Sequence, residues 1–286
     1  MRIGRSLSLI VLIVALVASG LALASPAAAK VDNVLVGASG IQGVSLETFA
    51  TGAIDPIAKG QDLRLSRLHF DPCTAITLHN TGGAVLIYAE SSGVAYAYQG
   101  GESTPDQPLD QGDSIVAGAH DFLTIVNPMI DPAYSVDLLL LSVTEDDSFV
   151  DVPVLEAVTF GKDAACDEVN EKGTVTPTIL AEGNAGVSGS ILYIGSAFFY
   201  PEATTENWDI IDQGTTFNLL LLAGGMGAAG PNSGRAAWIG PGGVLHDSYN
   251  EGPIGTFPFV NTGPSPVFGL VFGTVMPNSA VFLPLG

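Results

Sequence analysis

The chain has 286 residues, of which 29 are acidic and 9 basic, a formal net charge of −20. A surface this acidic repels nucleic acid and anionic membranes, so neither is expected as a partner. Charged residues make up only 13% of the chain while 35 are Gly and 18 are Pro. That pairing suits many short strands joined by tight turns and excludes a mainly helical protein.

Residues 1–29 read as an export leader. Arg2 and Arg5 precede an apolar run over 7–23, and Ala27-Ala28-Ala29 offers a small-residue cleavage site before Lys30. A retained anchor is the alternative, because the run is about as long as the shortest spanning helices, roughly 17 residues. The alanine-rich end and the lack of basic residues immediately after the apolar run favour cleavage. The mature protein is therefore expected to be secreted, with no stable membrane anchor. Losing Arg2 and Arg5 leaves 7 basic against 29 acidic residues, a net −22. Such a charge favours cations or simply keeps an apolar protein in solution. Two cysteines in an exported chain, Cys73 and Cys166, suggest a disulfide, with two buried thiols as the alternative.

The first clear element comes after turn signals at Pro56 and Gly60. Leu63, Leu65 and Leu68 alternate with polar residues, which predicts a half-buried strand, with His69 packing beside Phe70. Pro72 ends it, and a short run follows over 75–79. Thr81-Gly82-Gly83 is a turn signal before a nearly continuous apolar strand at Val85–Ala89. Residues 94–98 alternate again. Pro105 and Pro108 mark 99–111 as a loop, Gly112-Asp113 opens another strand, and 122–126 and 136–143 are apolar. Charge crowds 161–178, which reads as a linker. The expected division is 30–160, the linker 161–178, and 179–286.

The second half repeats the first. Leu63, Leu65, Phe70 and Pro72 recur as Leu192, Ile194, Phe199 and Pro201, all at an offset of 129. Val85–Ala89 has its counterpart in 217–223. Asn127-Pro128 corresponds to Asn261-Thr262-Gly263 at an offset of 134, which places a short insertion within 250–258. An offset this long describes two copies of a domain, not a solenoid.

With these residues in view, the chain resembles a bicupin, two cupin barrels in tandem. The resemblance implies an all-β fold of two antiparallel jelly-roll barrels, each with a central pocket. Its first signature carries His-x-His and then Glu; its second runs from Gly-Asp to Pro-x-Gly-x-x-His-x-x-x-Asn. In the family, the three histidines and the glutamate hold a divalent metal. Here His79 stands at the first histidine, but Thr81, Val85 and Leu123 stand at the other ligand positions. His120 replaces Leu123 only if the alignment slips. In the second half, Pro241-Gly242-Gly243-Val244-Leu245-His246-Asp247-Ser248-Tyr249-Asn250 reproduces the second signature's spacing, but no histidine lies between Pro201 and Gly224. A pair of immunoglobulin-like sandwiches is the alternative fold.

The sequence reading is a secreted bicupin without metal or cofactor, acting as a non-catalytic binding or structural module. A small molecule is the candidate partner, in apolar pockets edged by His79 and His246, with Trp208 and Asn250 as further ligand-binding candidates. One alternative is a metal-dependent oxygenase or isomerase that uses the second barrel, where His246 would act with Glu206 or Asp209. The other is an extracellular surface or matrix component. Glycine-rich stretches at 224–227 and 240–243 lack the Lys-Ser/Thr ending of a phosphate loop and read as turns.

Overall fold

The structure, a computed structural model, describes residues 43–79, 83–91, 94–98, 107–119, 122–129, 131, 134–145, 174–204, 208–209, 214–229, 236–248, 259–281 and 283–284. The expected leader and most of the expected linker lie outside them. The first half contributes β1 (Val44–Ala53), β2 (Gln61–Phe70), β3 (Thr74–His79), β4 (Val85–Ala89), β5 (Val94–Tyr98), β6 (Gln107–Leu109), β7 (Ser114–Ala117), β8 (Phe122–Asn127) and β9 (Val136–Glu145). The second contributes β10 (Val175–Asn184), β11 (Ile191–Phe199), β12 (Trp208–Asp209), β13 (Thr216–Ala223), β14 (Met226–Ala229), β15 (Ala236–Ile239), β16 (Val244–Ser248), β17 (Phe259–Val260), β18 (Val267–Val275) and β19 (Leu283–Pro284). The described residues are all-β, and every strand pair among them is antiparallel. Among the described residues no helix is long and apolar enough to cross a membrane.

Two five-stranded sheets carry the architecture, β10-β2-β9-β4-β7 and β1-β11-β18-β13-β16. The orders match element for element, with one exchange. β1 pairs with β11 of the second half, and β10 pairs with β2 of the first. Each half thus lends its leading strand to the other half's sheet. Both lent strands carry a bulge at the same place, between Thr48 and Ala50 and between Ile179 and Ala181. β10 begins at Val175, inside the stretch read as linker, because Val175 pairs with Phe70 at the end of β2.

β2 is buried on both faces, not on one. Successive side chains point to opposite faces of a sheet, and Leu63 and Leu65 have the opposite parity from Leu68 and Phe70. The first pair enters a core shared by the two sheets, with Leu139, Leu141, Leu192, Ile194 and Phe272. The second pair enters the core of the first barrel, with Ile76, Ile125 and Leu138. The apolar run in β9 has the same cause, its alternate residues serving two cores. Truncating a buried leucine in such a core costs about 2–5 kcal/mol.

The repeat extends to individual hydrogen bonds. Asn127 Nδ2 donates to the carbonyls of Phe70 and Tyr134, and Asn127 Oδ1 accepts from the Met129 N–H. Asn261 does the same with Phe199, Ser265 and Gly263. Cys73 and Glu202, 129 residues apart, are both non-glycine residues with positive φ, 56° and 66°, in the turn that follows Pro72 and Pro201. Cys73 is disulfide-bonded; Cys166, the chain's other cysteine, lies outside the described residues. The stretch expected as a loop over 99–111 contains β6, which includes Pro108. Its missing N–H is tolerated because β6 is the edge strand of the sheet β3-β8-β5-β6.

Candidate functional site

The first barrel's interior is aliphatic where the resemblance would place metal ligands. Leu123, at the third histidine position, is 2% exposed. It lies opposite Leu78 across the β3–β8 ladder, and both side chains belong to the barrel core. Val85, at the glutamate position, packs against the same cluster. His79 is the last residue of β3, paired with Phe122 and one position beyond the inward-facing Leu78. Thr81 and His120 lie outside the described residues. Aliphatic carbons cannot coordinate a cation, so these residues do not fit the family's metal. Among the described residues no three His, Cys, Asp or Glu side chains gather into a metal-binding group.

In the second barrel the spacing around His246 proves misleading. Leu245 lies opposite Leu219, and both enter the barrel core. His246, one residue on, lies opposite Asn218 and is exposed on the other face. It therefore does not edge a pocket inside the barrel. The repeat gives the reason. Gly112 N–H bonds to Ala89 O and Asp113 N–H to Asp110 O; Gly242 and Gly243 make the same bonds to Leu221 and Gly240. Pro241-Gly242-Gly243 is thus the counterpart of Gln111-Gly112-Asp113, where the second signature opens, and it precedes the first strand of that signature. His246 corresponds to Val116, which packs against the core between the sheets. The asparagine that ends the second copy is Asn261, shown by its bonds. Asn250 lies outside the described residues. Trp208 lies in β12, paired with Pro284.

The second barrel's core is filled by large side chains, Tyr193, Phe199, Phe217 and Met226 among them. Tyr193 is fully buried and donates its hydroxyl proton to Thr216 O at 2.7 Å. Burial holds its phenol well above the ordinary range.

Sequence reading missed a polar cluster at one end of the first sheet's outer face. Arg67 forms a bidentate pair with Glu90, at 2.7 and 2.8 Å. That hydrogen bond, more than the surrounding charge, raises the guanidinium pKa. His69 does not pack as a strand residue beside Phe70, because its odd parity turns it outward. Its Nδ1 lies 2.8 Å from Asp137 Oδ1, and its Nε2 lies 3.7 Å from Asp71 Oδ1. Asp71 Oδ2 accepts from the Thr174 N–H and hydroxyl, each at 2.9 Å, which lowers its carboxyl pKa. Asp137 N–H donates to Ser91 Oγ. Each ring nitrogen of His69 faces a carboxylate, so the imidazole ties β2 to β9 and to the entry of β10. The parity of Arg67 and His69 against Leu68 and Phe70 was the available signal.

Solved structures with a similar fold include oxalate decarboxylase from Bacillus subtilis, 14% identical, with 88% of this chain and 81% of that chain covered at a TM-score of 0.48. They also include vicilin from Corylus avellana, 15% identical, with 78% of each chain covered at a TM-score of 0.46. Both are cupins. Another structure of the decarboxylase is described for its Mn(II) centers. A likeness this loose carries nothing about chemistry. No family model matches the chain, and no curated protein matches its sequence.

Proposed function

We propose that this protein is an exported, non-catalytic module of two fused barrels whose main task is structural. One observation carries the reading: at positions where a metal cupin needs ligands, Leu123 is a buried core side chain and Val85 packs against the same aliphatic core. Replacing ligands by packed hydrocarbon strengthens a barrel and removes its chemistry. The filling of the second barrel by Tyr193 and Phe217 supports the same reading. It favours a structural part over a pocket for a small molecule. Export is supported by the leader-like residues 1–29, and the bonded Cys73 suits an oxidising compartment.

Elemental analysis of the mature protein after dialysis tests this directly. The expected result is well below about one equivalent of iron, manganese or zinc, since such sites normally need at least three protein ligands. A stoichiometric metal that survives dialysis would overturn the proposal and favour the enzyme reading.

A further inference from the structure

The polar cluster of the first sheet has a counterpart at the same place on the second sheet, built from different chemistry. The β2/β11 offset carries His69 to Phe198 and Asp71 to Tyr200. Val136 pairs with Phe70 and Val267 with Phe199, so Asp137 corresponds to Phe268. Ala89 and Leu221 accept equivalent bonds, so Glu90 corresponds to Leu222. His69, Asp71, Glu90 and Asp137 are thus replaced by apolar or aromatic residues, and Arg67 by the uncharged Ser196. Tyr200, Leu222 and Phe268 are 53%, 44% and 37% exposed, and Trp238, lying over Gly225 near Gly263, is 61% exposed. Large apolar side chains exposed together at one end of a sheet mark an interaction site.

We propose that this face is covered by the stretch of the same chain that leads into β1, residues 31–42. The point of entry supports it. Tyr200 N–H donates to Gly43 O at 2.9 Å, and Val44 and Ser45 pair with Phe199 and Phe198. The chain therefore joins the sheet beside the aromatic face. Residues 31–42 contain Val31, Val34, Leu35, Val36 and Ile41, and Asp32 is their only charge. Fully extended they reach about 40 Å, ample for one end of a barrel. The other half shows the same matching. Thr174 is the counterpart of Gly43, bonded through its carbonyl to Asp71 N–H. The stretch before it, 162–173, holds Lys162, Asp163, Asp167, Glu168, Glu171 and Lys172, and it enters beside Arg67, His69 and Asp71. Each lead-in has the polarity of the face it enters. The rings of Phe198 and Tyr200 meet edge to face, 4.9 Å apart at 73°. That geometry offers crevices to aliphatic side chains, not a flat platform for a sugar ring.

Hydroxyl-radical footprinting of the mature protein tests the proposal, with Tyr134, 54% exposed on the first half, as the internal reference. Tyr200 and Trp238 should oxidise more slowly than Tyr134. The paired substitution Leu35→Asp, Val36→Asp should raise their oxidation several-fold and leave Tyr134 unchanged. Where that variant is poorly secreted, Leu35→Ser, Val36→Ser gives the same readout. Rates equal to that of Tyr134 in the parent protein would overturn the proposal. So would protection that persists in the variants and rises with protein concentration, which would assign the face to a second copy.

Discussion

The two ends just compared share one backbone and differ in what holds them. On the first sheet, the entry of the lent strand β10 is fixed by ions: Asp71 on Thr174, with His69 between Asp71 and Asp137. On the second, the entry of β1 is fixed by a main-chain bond from Tyr200 among aromatic rings. The backbone bond at each entry is the same, so the exchange itself does not depend on the side chains. What the side chains change is sensitivity to solvent conditions. An ionic end responds to pH and salt, while an apolar end does not.

The largest expected effect tests what the two halves share. Phe272 is fully buried in the core between the sheets. Phe272→Ala should cost about 3–5 kcal/mol, and urea unfolding followed by two probes should still show one transition. Separate transitions for the two halves would show that the shared core does not couple them. Next come Asn127→Ala and Asn261→Ala. Each strips matched hydrogen bonds from buried backbone groups, so each should cost about 1–3 kcal/mol, and the two costs should agree closely. A large inequality in urea midpoints would break the equivalence of the copies.

A smaller effect separates the two ends by pH. The Asp71 carboxyl is held below its ordinary range, chiefly by the Thr174 N–H and then by its hydroxyl. Its stabilising contribution is therefore present above the unfolded-state value of about 3.9 and is lost as pH falls through the lower folded value. Asp71→Asn should be less stable at neutral pH by under about 1 kcal/mol, because the site is open to solvent. The gap should close in strong acid. Tyr200→Phe, at the equivalent position, should show no such closing when stability is followed from pH 7 to pH 2 by circular dichroism. The smallest effect belongs to His246→Ala, expected within about 0.5 kcal/mol of the parent. Val116→Ala, its counterpart in the shared core, should cost more. A greater loss at His246 would contradict its outward placement.

The repeat was legible because it is written in residues with fixed structural duties. Leu63 and Leu192, Pro72 and Pro201, and Asn127 and Asn261 keep their types because cores, turns and buried carbonyls demand them. The partner of each leading strand was not legible. β1 and β10 have suitable patterns for either sheet, and nothing local in a strand names its neighbour. His246 misled for a related reason. A motif's spacing records distance along the chain, whereas inward or outward placement depends on register, and one residue reverses it. The cluster around His69 was hidden because its members come from 67, 90, 137 and 174, brought together only by the sheet order.

The lent strands also set a schedule for folding. β2 cannot find its neighbour β10 until the chain has been made as far as Asn184, and β1 must wait for β11. Pairings separated by more than a hundred residues are slow to close, and apolar strand edges stay open while they wait. A nascent chain halted after residue 160 would hold β1 with no sheet to join and a first sheet lacking its edge. Release of the whole chain, rather than of either half, is the event that lets both barrels form.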